Sequence, residues 1–148
     1  MKTVNIHNET SPDNSLILNH KEIIEFIKES AQEIYNTLGS GYKEHIYVTA
    51  MNVHLHSHGY LFNNEVIVPI IYKDIQLGYE RADTVIYNPC KIILEFKSQN
   101  NKLSNKEICQ LQKYLKNYNN GDFEIGILLN FNNNLEFIIV DKENKLIE

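Results

Sequence analysis

An excess of positive charge is the first thing this chain lacks. Its 148 residues carry 14 Lys and Arg against 19 Asp and Glu, a formal net charge of −5. Bulk electrostatics therefore do not draw it to nucleic acid, and any approach to phosphates needs a local basic surface, a metal ion or a partner. Cysteine is scarce as well. Cys90 and Cys109 alone make neither a disulfide framework nor a zinc cluster, so a reduced, intracellular chain is the expectation. No apolar run approaches the roughly 20 residues of a membrane span. The opening MKTVNIHNETSPDNS has no signal-peptide core, and no membrane role is expected. No internal repeat is visible.

What remains is ordinary for a globular protein: 43% hydrophobic residues and a mean hydropathy of −0.36. The length fits one domain with a proper core. Residues 1–18 are mostly polar and read as a flexible arm; the domain is expected over 19–148. From about 20 to 38, Ile23, Ile27, Ala31, Ile34, Tyr35 and Leu38 recur at helical spacing, with Asn19 as N-cap and Gly39-Ser40-Gly41 as the stop. A second helix is expected over 43–58, ended by Gly59. Glu44 and Tyr47 lie on one side of it. By themselves they read as a first-turn acid that complements the helix dipole and as a core aromatic. His54 and His58 are one turn apart, but nothing supplies a clear third ligand, and no histidine metal site is expected.

EVIVPIIY (65–72) reads as a strand in which Pro69 argues for an edge or a bulge. Lys73-Asp74 turns it back into IQLGYERADTVIY. RADTVIY and KIILEFK then form a hairpin around Asn88-Pro89-Cys90. Alternation along the second arm puts Ile93, Glu95 and Lys97 on one face and Ile92, Leu94 and Phe96 on the other. With a three-residue loop, Val85 faces Ile93, Asp83 faces Glu95, and Arg81 faces Lys97. Two carboxylates then sit side by side, roughly 5 Å apart at Cβ. Like charges so placed oppose one another and raise one acid's proton affinity. A hard divalent cation, which takes one or two carboxylates and keeps several waters, removes the conflict. The plainer alternative is a solvated strand face with Arg81 and Lys97 neutralising the acids.

Ser104-x-x-Glu107 is a capping box that opens a helix to about residue 118, with Ile108, Leu111 and Leu115 as its buried stripe and Gln110 and Tyr114 along its flank. EIGILLNF (124–131) is a doubly covered strand, and LEFIIVD closes the chain after three asparagines. The order is α-α-β-β-β-α-β-β, an α/β fold whose mixed sheet pairs KIILEFK and GILLNF in parallel through a helical crossover.

These blocks resemble the PD-(D/E)XK nuclease superfamily. Within it the chain is similar to the small GxxExxY proteins: Gly41-x-x-Glu44-x-x-Tyr47, Arg81-Ala82-Asp83, Glu95-Phe96-Lys97, Gln110-x-x-x-Tyr114-Leu115 and Gly126 to Phe131 occur in that group's order. Ala82 stands where the superfamily label has proline. The resemblance covers residues 20–140 and implies a metal-dependent nuclease that hydrolyses DNA phosphodiesters with metal-activated water. It assigns Asp83 and Glu95, with Glu44 and the Phe96 carbonyl, to Mg²⁺ or Mn²⁺. It assigns Lys97 to the water and the developing charge, and Gln110 to the nucleophile or the lysine. Arg81, Tyr114 and Tyr47 are the implied nucleic-acid contacts. Single strands, ends or branched DNA are the expected substrates, and a protein partner or homodimer is an open expectation. The other reading is a catalytically inactive module of the same fold that binds nucleic acid or protein.

Overall fold

The computed structural model describes residues 12–143 and 145–146, with side chains from 20 to 143. Helix α1 (Pro12–Leu38) and helix α2 (Glu44–Ser57) precede strands β1 (Leu61–Tyr72), β2 (Ile75–Asn88) and β3 (Ile92–Lys97). Helix α3 (Asn105–Asn117) then leads into β4 (Ile125–Phe131), β5 (Leu135–Asp141) and a two-residue β6 (Lys145–Leu146). The sheet runs β1-β2-β3-β4-β5-β6, antiparallel except for β3 and β4, which are parallel. The expected mixed sheet and its helical crossover are therefore present, and β6 is an addition to them.

The sheet separates two cores. On one face Ile92, Leu94 and Phe96 meet Ile23, Ile27, Ala31 and Ile34 of α1, together with Tyr47, Met51 and Leu55 of α2. On the other face Val85 and Ile93 meet Ile108, Leu111 and Leu115 of α3. β4 is buried throughout, as a strand covered on both sides should be. Gly126 lets α3 approach it: a Cβ there would lie 2.7 Å from the Leu111 side chain.

Several boundaries differ from the sequence expectation. α1 begins at Pro12, not after Asn19, so residues 12–18 are helical rather than a flexible arm. Pro12 suits a first turn, where the missing N–H has no intrahelical acceptor to lose. Residues 1–11 of the expected arm lie outside the described residues. β1 starts at Leu61, four residues early, and β1 is an edge strand, which explains how it tolerates Pro69. Lys73 and Asp74 both take positive φ (51° and 64°), the tight-hairpin turn their position called for.

Candidate functional site

The β2–β3 register matches the loop-length argument. Val85 pairs with Ile93 and Thr84 with Leu94. There the backbone ladder stops, and side chains continue it. The backbone N–H of Asp83 donates to Glu95 Oε2 at 2.9 Å, and the backbone N–H of Phe96 donates to Asp83 Oδ2 at 2.8 Å. The two acids thus clasp each other's strand. Asp83 is also skipped in the β1–β2 ladder, and its carbonyl accepts from the Asn64 side chain at 3.3 Å. Backbone groups that would be orphaned at this break are satisfied by side chains.

Burial dominates the electrostatics. Glu95 is only 4% exposed, and desolvation followed by the Asp83 charge pushes its pKa well above its ordinary value. Asp83 is half-buried; desolvation raises its pKa too, the Phe96 N–H opposes the rise, and the Glu44 charge adds to it. That glutamate is the first residue of α2, and its side chain is exposed. Lys97 partly offsets both acids. Its Nζ donates to Gln110 Oε1 at 3.4 Å, so α3 positions the lysine beside the carboxylates.

Asp83, Glu95, Lys97 and Gln110 are therefore brought together, with Glu44 nearby. Among the described residues no cluster of three or more His, Cys, Asp or Glu has metal-holding geometry. One buried and one half-buried carboxylate, each with one oxygen left outside the backbone clasp, nevertheless fit a hard cation that retains water ligands. The charge they would carry on ionising, only partly offset by Lys97, is the physical reason a cation suits them.

Three expected contacts need correction or restatement. Tyr47 is fully buried; its ring stacks on Phe131 at 4.2 Å, and its hydroxyl donates to the Gly39 carbonyl at 2.7 Å and accepts from the Tyr42 N–H at 3.2 Å. It is a lock on the α1–α2 turn and presents no surface to a nucleic-acid strand. Gly41, at φ +108°, makes that turn possible. Tyr114 is 3% exposed and donates to the Arg81 carbonyl at 3.4 Å, so it braces β2 rather than facing solvent. Burial first, then Glu95, Glu80 and Asp83, raises its pKa. Arg81 is exposed, 3.7 Å from Glu65 Oε1 and over the Tyr79 ring, and its register lies with Ile67, with no ladder pairing to Lys97. Phe96 contributes a core ring and the N–H bonded to Asp83. His58 stacks on Phe26 at 4.1 Å.

Sequence reasoning missed the wall of the site. A cleft of about 670 Å³ opens beside Lys97 and Gln110, lined further by Lys106 and Lys113 of α3 and by Glu80 and Ile70 of the β1–β2 ribbon. Lys106, Gln110 and Lys113 recur at intervals of four and three on one helix face, a signal present in the sequence but overshadowed by the net negative charge.

A model of the PD-(D/E)XK nuclease superfamily matches residues 21–140. The solved structure of SSO0001 shares the fold at 20% sequence identity and a TM-score of 0.51, with 66% of this chain covered. This chain spans 48% of that one's length. None of the curated proteins compared matches the sequence.

Proposed function

We propose that this chain, which belongs to the PD-(D/E)XK nuclease superfamily, hydrolyses DNA phosphodiester bonds with the help of Mg²⁺ or Mn²⁺. The observation that carries this reading is the convergence of the Asp83 and Glu95 carboxylates on one spot, with Lys97 held beside them by Gln110. Gly41, Glu44 and Tyr47 support placing the chain with the GxxExxY group, since each has a defined place in the α1–α2 turn.

Asp83 and Glu95 would hold the cation, with Glu44 and the Phe96 carbonyl as further donors. When bound, the ion supplies polarisation of the phosphoryl oxygen and a more acidic water. Lys97 places its ammonium where charge develops on the phosphate and where the attacking water must be oriented. Gln110 fixes the lysine's rotamer. Lys106 and Lys113 give the adjoining cleft the local basic surface that the whole molecule lacks, a track for the phosphates of a single strand or a splayed end. Arg81, exposed on β2, is the remaining cationic contact.

The second reading, a non-catalytic binding module, draws on the net charge and on the backbone clasp, which gives each acid one backbone partner without a metal. Incubation with single-stranded, duplex and branched DNA in Mg²⁺, Mn²⁺ or EDTA separates the two. Cleavage that needs the cation and disappears in Asp83→Ala supports the enzyme; intact DNA across all substrates supports the module.

A further inference from the structure

The cleft beside Lys97 has two walls of opposite character. One is α3, which lines it with Lys106, Gln110 and Lys113. The other is the β1–β2 ribbon, which offers Ile70 and Glu80. Strand pairing settles which side of the ribbon this is. Val68 lies opposite Glu80 and Ile70 opposite Gly78, and directly opposed residues share a face. Val68 is buried in the core beneath α3, so Ile70, Gly78 and Glu80 lie on that face too. A Cβ built on Gly78 would meet no atom within 4 Å, and Ile70 is 37% exposed. The ribbon wall is therefore a small apolar shelf with a carboxylate beside it. Among the described residues Glu80 has no salt-bridge partner.

We propose that Glu80 reads the bases of a bound strand and favours those with an exocyclic amino group over thymine. This rests on the nucleic-acid strand proposed for the cleft. The charges of the two walls orient that strand. Lys97, Lys106 and Lys113 attract phosphates, and Glu80 repels them. With the backbone along α3, the bases turn towards the ribbon. There a flat ring can lie on Ile70 and Gly78 with its edge at Glu80. The volume of about 670 Å³ is that of a small-ligand pocket, so it takes splayed nucleotides, whose pairing edges are free, and no duplex. An ionised carboxylate only accepts hydrogen bonds. Cytosine N4, adenine N6 and guanine N2 are amino groups that donate to it. Thymine has none. Its N3–H is flanked by two carbonyls, so one of them would face the second carboxylate oxygen, acceptor against acceptor.

Fluorescence anisotropy of the full chain with labelled oligodeoxycytidine and oligodeoxythymidine of about 10 nucleotides, in Ca²⁺ at neutral pH, tests this without requiring cleavage. Both bases are pyrimidines, so ring size does not separate them. Wild type should bind the cytidine oligomer at least about fivefold tighter, the low end of what a good base contact discriminates. Glu80→Gln keeps the side chain's length but adds an amide donor that thymine can accept from. The preference should then shrink to within about twofold, chiefly through tighter thymidine binding. The variant's circular dichroism spectrum should match that of wild type. Equal affinity of wild type for the two oligomers overturns the inference and leaves the nuclease reading intact. A preference that survives in Glu80→Gln overturns it as well. Binding of neither oligomer overturns both the inference and the strand it rests on.

Discussion

Asp83 and Glu95 each bind the backbone of the other's strand: the Asp83 N–H reaches Glu95 Oε2, and the Phe96 N–H reaches Asp83 Oδ2. The pair is thereby fixed at close range by protein groups alone. Fixing two acids together while burying one makes the metal-free fold sensitive to pH. Glu95 has its pKa raised from an ordinary 4.5, by burial first and by Asp83 second. Below 4.5 the folded and unfolded chains both hold this proton, and its contribution to stability is fully present. As pH rises the unfolded chain ionises first, so stability is lost until pH passes the raised folded value. In EDTA the melting temperature of wild type should therefore fall with rising pH above 4.5 relative to Glu95→Gln. Mn²⁺ should reverse that fall by replacing the proton. Equal pH profiles for the two proteins would remove the buried charge from the account.

Asp83→Asn removes one of the opposed charges and keeps an oxygen for the Phe96 N–H. The expected outcome is a metal-free protein about 0.5–1 kcal/mol more stable, the scale of a like-charge cross-strand pair, together with loss of cation binding by calorimetry. Clear destabilisation would mean that the carboxylate's bond to the β3 backbone outweighs the repulsion.

Lys97 touches Gln110 at 3.4 Å and offsets both acids without bonding to either. Lys97→Ala should lower the cleavage rate by about 10²-fold or more, as expected for a group that stabilises transition-state charge, while Mn²⁺ affinity changes little. Gln110→Ala acts only through the lysine and should cost about tenfold, or 1.4 kcal/mol in the barrier. Single-turnover rates with saturating metal measure both. Equal losses in the two variants would give Gln110 a direct role.

The fold and the candidate site were legible for different reasons. The hairpin register followed from loop length and side-chain alternation, both local and short-ranged, so Asp83 and Glu95 could be placed opposite one another. α3 was signalled by a capping box that the structure forms through Ser104 and Glu107. The start of β1 was hidden because Asn63-Asn64-Glu65 has turn-like composition. Asn64 bonds Thr84 and Asp83 across the strands, and Glu65 takes φ 54°, so tertiary contacts override local preference there. Tyr47 and Tyr114 were expected at the nucleic acid only because the resemblance implied it; read by itself Tyr47 is a core aromatic, and the structure buries both rings. Helical spacing tells which residues share a face but not which face the sheet covers.

Lys106 and Lys113 line the cleft but touch neither carboxylate, so they should affect binding more than chemistry. Lys106→Ala with Lys113→Ala should weaken single-strand affinity and flatten its salt dependence, since each lost phosphate contact takes about 0.7 from the log–log slope. Fluorescence anisotropy across a salt series, with Ca²⁺ in place of Mg²⁺, reads both quantities. An unchanged slope would move the strand to another surface.

Tyr47→Phe separates a structural residue from a chemical one. The ring still stacks on Phe131, and only the hydroxyl between the Gly39 carbonyl and the Tyr42 N–H is lost. Two backbone groups then lose a partner in a tight turn, for an expected cost of about 1–2 kcal/mol in unfolding free energy. Because the turn leads directly into Glu44, any catalytic effect must come through displacement of that carboxylate. The variant should therefore bind DNA as wild type does at temperatures where it is folded, with a lower denaturation midpoint in urea. Weakened DNA affinity at full stability would return Tyr47 to the substrate surface.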